Sequence, residues 1–385
     1  MNHLTTLRDE FELVRFPEDP RSDLRAWDAA DEMLLRHIEE TGAPSGTLVV
    51  VGDRWGALAT ALAPHRPTQI SDSFLAQQAT RDNLGRNGID VGAVRFLSTQ
   101  DAPPERIDVL LIRVPKGLAL LEDQLHRLAP GVHEGTVVVA AGMVTEVHTS
   151  TLKLFEQILG PTRTSLAVRK ARLIFCAPDP GLVRSGSPWP QSYALPDGIG
   201  AVSGRQVVNH AGVFCAERLD IGTRFFLGHL PQRRGPQRPG PQQVVDLGCG
   251  NGVVGTAAAL ADPEAEVTFV DESYQAVASA RDTFGLNVAD SGRARFLVGD
   301  GMSDIPAGSV DLVLNNPPFH TYRASSDATA WRMFSGARAA LRPGGELWVV
   351  GNRHLGYHAK LRRLFGNCGV VASDRKFVVL RSVKR

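Results

Sequence analysis

The chain has few cysteines, no long apolar run and no excess of one charge. Its four cysteines are far apart and form no CxxC pair, which argues against disulfides and against a zinc site. His320, His354 and His358 lack carboxylates at metal-ligand spacing, so we expect no metal. No apolar run is long enough to cross a bilayer, and the N-terminus lacks a signal-peptide core. We therefore expect a cytoplasmic protein with no membrane partner.

The net charge is only +1, which by itself argues against a strong nucleic-acid binder. The charges are unevenly distributed, however. Residues 1–46 hold 11 acidic and 5 basic residues, whereas residues 321–385 hold 13 basic and 3 acidic residues. A basic surface on the C-terminal half would attract phosphate groups, although a solvated charged face would produce the same pattern.

A chain of 385 residues is long enough for two domains, each with its own core. The C-terminal half alternates apolar strands with helical segments, beginning with QQVVDLGCG and ending with KFVVLRSV. This alternation is typical of a parallel sheet covered by helices on both faces. The N-terminal half repeats five of these segments in the same order, for example IDVLLIRVPK against VDLVLNNPPF. The repetition indicates an internal duplication, with a chance resemblance between two α/β domains as the alternative.

Two segments rich in proline and glycine, residues 178–200 and 231–243, predict loops or linkers. The segment between them predicts a strand or hairpin followed by a helix that begins near Asp220, and we assign it to the C-terminal domain. The predicted division is one domain over residues 1–185, a linker over 186–200 and a second domain over 201–385.

The segment DLGCGNG, which starts at Asp246, follows an apolar strand and precedes a helix. Glycines at alternate positions allow a tight turn and let a ligand approach Gly248 and Gly250 without a Cβ in the way. The spacing differs from the GxGxxG of dinucleotide binders, and an acidic residue precedes the glycines. This pattern suits a ligand with an amino group and a sulfonium, although a plain strand–helix turn remains an alternative.

Two aspartates end the next two predicted strands, EVTFVD and ARFLVGD. Asp271 can accept hydrogen bonds from both hydroxyls of a ribose, and Asp300 can accept one from an adenine amine. Either residue alone also fits a turn or a helix N-cap. Their recurrence at successive strand ends favours a ligand, because ligands of open α/β sheets bind beyond the carboxyl ends of the strands.

The motif NPPF, Asn316 to Phe319, ends the fourth predicted strand. Its two prolines cannot continue a sheet and hold the chain in a stiff loop. In that loop the Asn316 side chain and the Pro317 carbonyl can both accept from one planar NH2 group, while Phe319 offers a face for a base. Acceptors that pull the amine hydrogens out of plane favour the transition state of its methylation.

Together these residues resemble the class I methyltransferases that modify amino groups. Longer strings, NPPFH, AWRMF, GNRHLGYHAKLRRLFGNC and KFVVLRSVK with GVF and LDIGTRFFL upstream, resemble the bacterial ribosomal RNA guanine-N2 methyltransferases. AWRMF and NRHL are more similar to the large-subunit (23S) enzymes than to the small-subunit ones. The resemblance covers essentially the whole chain and is strongest from about Val208 onward.

This resemblance implies two tandem α/β domains of the class I, Rossmann-like methyltransferase fold, a degenerate N-terminal one and a catalytic C-terminal one. It implies S-adenosylmethionine as cofactor, ribosomal RNA as partner and methyl transfer to guanine N2 of 23S rRNA, with no oligomer required. The implied cofactor-binding residues are Asp246, Gly248, Gly250, Asp271, Asp300 and Asn316. The implied catalytic residues are Asn316, Pro317 and Phe319.

The N-terminal copy departs from the pattern at the implied site. Arg54 stands where the C-terminal copy has Gly250, and Arg113-Val114-Pro115-Lys116 stands where it has NPPF. An arginine at position 54 would occupy the approach of the cofactor. We therefore expect that this domain has lost catalysis. It either holds RNA, with Arg113 and Lys116 facing phosphate, or only supports the catalytic domain.

Three alternatives to the 23S rRNA function stay open from the sequence. The same chemistry can act on 16S rRNA. An NPP-aromatic motif also serves glutamine side chains, which would make the substrate a protein amide. The third alternative is an RNA-binding or assembly protein without turnover.

Overall fold

A computed structural model of the chain describes residues 3–19, 22–42, 44–231, 240–318 and 323–385. The chain forms two compact units, Met1–Trp189 and Pro190–Arg385, here called unit 1 and unit 2. Among the described residues, no helix combines the length and apolar character that a membrane span requires.

Unit 1 contains a seven-stranded sheet with helices packed on it, and a separate two-stranded sheet. Its strands are β1 (His3–Thr5), β2 (Glu10–Glu12), β3 (Leu48–Val51), β4 (Thr68–Ser71), β5 (Arg95–Ser98), β6 (Ile107–Arg113), β7 (Val132–Met143), β8 (Thr162–Thr164) and β9 (Ala171–Cys176). Its helices are α1 (Ala29–Thr41), α2 (Ala57–Ala61), α3 (Phe74–Arg86), α4 (Leu118–Leu128) and α5 (Thr149–Ile158), with 3-10 turns at Ala63–His65, Val91–Ala93 and Ala129–Gly131.

Unit 2 has the same composition of one seven-stranded and one two-stranded sheet. Its strands are β10 (Gln191–Ala194), β11 (Gln206–Asn209), β12 (Gln243–Leu247), β13 (Glu266–Asp271), β14 (Ala294–Val298), β15 (Val310–Asn315), β16 (Leu341–Asn352), β17 (Gly369–Ser373) and β18 (Phe377–Val383). Its helices are α6 (Ile221–Leu227), α7 (Val253–Ala261), α8 (Tyr274–Asn287), α9 (Arg323–Ala340) and α10 (Tyr357–Phe365), with 3-10 turns at Gly200–Val202, Ser291–Arg293 and Arg353–Leu355.

The two large sheets share one strand order. It is β5-β4-β3-β6-β7-β9-β8 in unit 1 and β14-β13-β12-β15-β16-β18-β17 in unit 2. In each sheet the first five strands of this order are parallel, and the last two join in antiparallel fashion. The prediction of two tandem α/β domains is therefore confirmed.

The central strands form because their sequences are apolar on both faces, as strands covered by helices on both sides must be. All four residues of β3, Leu48–Val51, are buried, and so are Val244, Val245 and Leu247 of β12. Helix α7 contributes a largely apolar face, with Val253 and Val254 in the core beside β12. Burial of this apolar surface stabilises each sheet within its own unit.

The strand order reverses between β12 and β15, and this reversal determines where a ligand can bind. β12 pairs with β15 on one side, with Leu247 opposite Asn315, while the chain leaves β12 for β13 on the other side. Connections that depart in opposite directions leave a crevice at the carboxyl ends of these two strands. The DLGCGNG loop and the NPPF motif begin directly at this crevice.

The segment 178–200, expected to be loop or linker, contains a strand and so requires a correction. β10 pairs antiparallel with β11, with Tyr193 opposite Val207, which places residues 191–194 within the fold of unit 2. Pro190 and Pro196 flank this short, polar strand and conceal it in the sequence. The expected helix near Asp220 is present as α6, whose N-cap is Asp220.

Candidate active site

The loop after β12 is built from glycines in left-handed conformations. The φ angles are 71° at Gly248, 52° at Gly250 and 74° at Gly252. A Cβ on Gly252 would lie 2.7 Å from the Cα of Ala280, so this glycine allows α8 to pack against the loop. A Cβ on Gly250 would meet no heavy atom within 4 Å. The loop therefore has open space next to Gly250, where a ligand can approach the backbone.

Asp271, at the end of β13, is joined to this loop. Its Oδ2 accepts a hydrogen bond from the Gly250 amide over 3.0 Å, and its Oδ1 accepts from the Ser273 amide over 3.1 Å. Burial raises the pKa of Asp271, although these backbone hydrogen bonds lower it. The predicted proximity of the second strand end and the glycine loop is thus present in the structure.

Asp246 lies within β12, below the loop, and is buried. Its Oδ2 accepts a hydrogen bond from the Gly255 amide over 2.7 Å. Burial, opposed by the hydrogen bond from Gly255 and helped by the negative charge of Asp271, raises the pKa of Asp246 to about 8. The carboxylate therefore joins the first turn of α7 to β12.

Helix α9 approaches the same crevice through two neighbouring residues. Arg332 forms an ion pair with Asp300, which lies just after β14. A Cβ on Gly248 would lie 3.0 Å from the Cε of Met333. The acceptor predicted for an adenine amine is therefore engaged by Arg332, and its role toward a ligand stays a prediction.

Asn315 and Asn316 place two amide groups at the end of β15. The Asn315 Nδ2 donates to the Leu247 carbonyl over 2.7 Å, and the Asn316 Nδ2 donates to the Thr223 Oγ1 over 2.9 Å. The Oδ1 atoms of both residues are buried and have no hydrogen-bond partner among the described residues. Since buried polar atoms are usually satisfied, two such acceptors side by side point to a ligand that donates hydrogen bonds.

The rest of the NPPF motif is described only in part. Pro317 is buried and Pro318 is exposed. Phe319, predicted to stack on a base, lies outside the described residues, as does His320. The structure therefore brings Asn316 and Pro317 to the crevice together with the glycine loop and Asp271.

Two asparagines at this crevice were not identified from the sequence. The Asn251 Nδ2 donates to the Asn209 Oδ1 over 3.0 Å, joining the glycine loop to the end of β11. The Nδ2 of Asn209 is buried without a partner in the part of the chain that the structure describes. Asn251 lies inside the glycine motif, but the pattern around Asn209 carries no signal, because β11 pairs outside the main sheet.

Two family models match the chain, one in each half. Residues 1–180 match the RLMG N-terminal domain, and residues 204–381 match the methyltransferase small domain. The "Ribosomal RNA large subunit methyltransferase G" of Streptomyces avermitilis is 73% identical over 383 residues, covering 99% of each chain. The chain belongs to the ribosomal RNA large subunit methyltransferase G family. This confirms the family predicted from the motifs, and with it the prediction of a methyltransferase.

More distant members of the large subunit methyltransferase G family match the whole chain as well. The relative of that name from Aeromonas salmonicida is 46% identical over 384 residues, covering 99% of each chain. Among solved structures, a T. thermophilus 16S rRNA N2 methyltransferase in complex with AdoMet and guanosine matches with a TM-score of 0.77. It is 21% identical, and the match covers 100% of this chain and 98% of that one. At this identity the similarity shows the tandem fold.

In this member of the methyltransferase G family, ion-paired side chains lie at the matching place in unit 1. Arg113 is 0% exposed. Its Nε lies 2.6 Å from Asp31 and its Nη2 2.9 Å from Asp28. The prediction that Arg113 faces RNA phosphate is therefore wrong, because two acidic residues of the α1 N-terminus hold its guanidinium inside the unit.

Arg54, which corresponds to Gly250, joins the same group of ion pairs. Its Nη2 lies 2.7 Å from Glu146 and its Nη1 3.5 Å from Asp28. The side chain thus reaches from the loop after β3 to the Val114 carbonyl just after β6, and its role in blocking a cofactor stays a prediction. Lys116 is exposed, so only this part of the expected phosphate-binding pair remains accessible.

Proposed function

We propose that this protein transfers a methyl group from S-adenosylmethionine to the N2 amine of a guanine in 23S ribosomal RNA. The Asn316 amide carries the proposal, since its buried Oδ1 lacks a partner among the described residues and follows the strand beside the glycine loop. The names of the relatives support ribosomal RNA of the large subunit as the substrate. The bound guanosine of the similar solved structure supports guanine as the base.

The side chains around the loop fit S-adenosylmethionine. Gly250 leaves room for a ligand against the backbone, and Asp271 presents a carboxylate beside it that can accept from ribose hydroxyls. When bound, the cofactor supplies an electrophilic methyl group on a positively charged sulfur. The carboxylates near the loop favour such a cation. The proposed contacts come from Asp246, Gly248, Gly250, Asp271, Asp300 and Asn316.

The NPP corner would activate the amine of the substrate. An aromatic amine is a poor nucleophile because its lone pair is delocalised into the ring. The Asn316 Oδ1 and the Pro317 carbonyl can accept its two hydrogens and favour a pyramidal nitrogen, which stabilises the transition state. The two prolines keep these acceptors in place, and we propose that Phe319 stacks on the base. No strong general base is required, because the methylated amine is acidic and loses its proton to water.

The charges on either side of β15 support a nucleic acid as substrate. Carboxylates lie at the ends of β13 and β14, whereas exposed basic residues follow β16 and connect β17 to β18. Asn315 lies opposite Val349, and Asn352 lies opposite Phe377, so all these strand ends share one edge of the sheet. The acidic side suits a cationic cofactor and the basic side suits RNA phosphates. The exposed basic residues are Arg353, His354, Arg375 and Lys376.

For the N-terminal half we propose the degenerate role expected from the sequence. The proposed degenerate domain corresponds to unit 1, Met1–Trp189, and the proposed catalytic domain to unit 2, Pro190–Arg385, in place of the expected boundaries 1–185 and 201–385. The ion pairs of Arg54 and Arg113 support loss of cofactor binding in the first of these. Support of the catalytic domain is favoured over RNA binding, because one of the two residues expected to face phosphate is buried.

The experiment is methyl transfer from labelled S-adenosylmethionine to separated 23S rRNA, 16S rRNA and release-factor protein. We expect label in 23S rRNA at guanine N2. Asn316→Ala should lower the rate by about 10²–10³, the usual effect of removing one preorganised hydrogen-bonding group. Asn287→Ala is the matched control, since this asparagine also donates a hydrogen bond through its Nδ2, to the Gln206 carbonyl, but lies at the end of α8.

Each other outcome contradicts a different part of the proposal. Label in 16S rRNA would replace the target, and label in protein would favour the glutamine amide. No label in any substrate would favour a binding protein without turnover. Equal rates for Asn316→Ala and Asn287→Ala would remove Asn316 from the chemistry.

A further inference from the structure

The amide of Asn316 is held by a residue that the proposed chemistry does not use. The Thr223 hydroxyl, in the first turn of α6, accepts a hydrogen bond from the Asn316 Nδ2 over 2.9 Å. We propose that Thr223, itself oriented by Asp220, is a positioning residue that keeps the Asn316 Oδ1 turned toward the amine of the substrate. This inference rests on the proposed role of Asn316.

The direction of the hydroxyl follows from the helix cap. Asp220 is the N-cap of α6, and its Oδ2 accepts from the Thr223 amide over 2.8 Å and from the Thr223 Oγ1 over 3.3 Å. Thr223 is only 6% exposed, so water does not compete freely for these bonds. A threonine hydroxyl has one hydrogen and two acceptor lone pairs. Because Asp220 takes the hydrogen, the Oγ1 is left as an acceptor.

This acceptor determines the orientation of the amide. With the Nδ2 of Asn316 toward Thr223, the pair has one donor and one acceptor. Rotation of the amide by 180° would place the Oδ1 against the Oγ1, two acceptors in contact with no hydrogen between them. That orientation would also leave a buried NH2 without its partner, which is costly. The Oδ1 is therefore kept as the atom available to a ligand.

The corresponding residues of unit 1 also join the end of the fourth strand to the first turn of a helix, but through ion pairs instead of a hydrogen bond between neutral groups. Asp28 is the N-cap of α1, and Asp31 occupies the place of Thr223 in the first turn. Arg113, which corresponds to Asn316, pairs with both of them. A guanidinium has no acceptor, so this version of the contact holds a side chain but presents nothing to an amine. The hydroxyl–amide pair belongs to the unit with the open crevice.

The test compares Thr223→Val, which keeps the shape and removes the hydroxyl, with Thr223→Ser, which keeps the hydroxyl. We expect Thr223→Val to lower kcat about tenfold, the effect of losing one hydrogen bond that orders a reacting group. The KM for RNA and the Kd for S-adenosylmethionine should stay within about twofold, because the proposed role of Thr223 acts through Asn316 and not through a contact with either ligand. Thr223→Ser should restore kcat. Unfolding midpoints verify folding, and Thr223→Ala replaces the valine variant if that variant is unstable.

A double-mutant cycle with Asn316→Ala separates positioning from a general structural effect. If Thr223 acts through Asn316, Thr223→Val has no further effect in the Asn316→Ala protein. A tenfold loss in both backgrounds, an unchanged kcat in Thr223→Val, or no rescue by serine would overturn the inference. If the wild type methylates a substrate other than 23S rRNA, the proposed target fails, and the cycle is measured on that substrate instead.

Discussion

Units 1 and 2 have the same strand order, but their central strands end in different contacts, a hydrogen bond between neutral groups in unit 2 and an ion pair in unit 1. In unit 2 Asn316 donates to the Thr223 hydroxyl over 2.9 Å. In unit 1 the corresponding Arg113 lies 2.6 Å from Asp31. Both contacts join the fourth strand of the sheet to the first turn of the first helix of the unit. Topology thus decides where the contact forms, and the side chains decide whether an acceptor remains for a ligand.

A second pair of contacts repeats this difference. Where unit 2 joins the glycine loop to β11 through Asn251 and Asn209, unit 1 places the Arg15 guanidinium 4.1 Å from the centre of the Trp55 ring. The amide pair of unit 2 leaves the Asn209 NH2 group without a partner among the described residues. In unit 1 a larger cation–π pair stands at this place. The matching region of unit 1 is therefore filled by side chains that satisfy one another.

Other contacts are retained, and these belong to the fold itself. On α8 the Thr283 hydroxyl exchanges hydrogen bonds with the backbone of Val208, and on α3 the Asn83 side chain does the same with Val14. In each unit a helix residue thereby holds the segment that precedes the sheet. Contacts that recur in unit 1 are structural, and contacts that change identify the site.

The largest effect that this comparison predicts is on Arg113. Arg113→Met should lower the free energy of unfolding of unit 1 by about 3–5 kcal/mol, because the buried Asp31 would lose its ion-pair partner and Asp28 would keep only its contact with Arg54. Hydrogen exchange of β6 in the full chain measures this. The control is Arg106→Met, which removes a 67% exposed side chain 3.0 Å from Asp108 and should cost less than about 1 kcal/mol.

The same variant tests what unit 1 contributes. Methyl transfer by Arg113→Met should remain, since the proposed site lies entirely within unit 2. If activity were lost while β6 kept its protection from exchange, unit 1 would take part in the reaction directly. The ion pairs at the strand ends of unit 1 would then not be enough to explain why only unit 2 is proposed to be active.

The next largest effect is expected from making unit 2 resemble unit 1. Gly250→Arg introduces the residue that unit 1 has at this position, into space with no heavy atom within 4 Å of the added Cβ. The affinity for S-adenosylmethionine should fall at least about 100-fold, or about 2.7 kcal/mol, because the side chain occupies the approach. Isothermal titration calorimetry measures the affinity.

Gly308→Arg is the matched control for backbone strain in this comparison. Gly308 also has a left-handed φ, 67°, and open space around its Cβ position, but it precedes β15 instead of following it. Both arginines should cost about 1–2 kcal/mol of stability, since L-residues tolerate this conformation poorly. Cofactor affinity that stays unchanged in Gly250→Arg would place the binding site elsewhere.

Much of unit 2 was predictable because its chemistry lies in short, local motifs. The glycine loop, Asp271 and Asn316 each follow an apolar strand, and parallel strands bring such ends to one edge. The hydrogen bond from Gly250 to Asp271 is the kind of contact that this reasoning anticipates.

The contacts that were missed connect residues far apart in the chain. Asp28 and Arg113 are separated by 85 residues. The sequence therefore showed an arginine at a strand end, but not the carboxylates that pair with it. Thr223 and Asn316 are separated by 93 residues, and the motif around Thr223 predicted a helix start without its partner. Side-chain pairing of this kind depends on how helices pack against the sheet.

The smallest expected effect concerns a buried carboxyl in each unit. Asp53, in the loop after β3, accepts from the Ala59 amide over 2.8 Å, and Asp246, within β12, accepts from the Gly255 amide. Each carboxyl is thus hydrogen-bonded to the first turn of the helix that follows it. Burial raises the pKa of Asp246 to about 8, helped by the charge of Asp271. It raises the pKa of Asp53 to about 7, helped by the charge of Asp31.

These pKa values predict a difference in stability between pH 7 and pH 8. A carboxyl whose pKa is higher in the folded state favours folding when protonated. Its contribution is complete below about pH 4 and is lost as the pH rises to the folded pKa. At pH 7 the Asp53 carboxyl is already about half ionised, whereas Asp246 loses its proton mainly around pH 8. Above pH 7, Asp246→Asn should therefore remove a loss of up to about 1.4 kcal/mol per pH unit, and Asp53→Asn a clearly smaller one. Urea unfolding of both variants and the wild type at pH 6, 7 and 8 measures this. Equal slopes above pH 7 for all three proteins would mean that the Asp246 carboxyl is already ionised at pH 7. The negative charge that attracts a cationic cofactor would then be present before the cofactor binds.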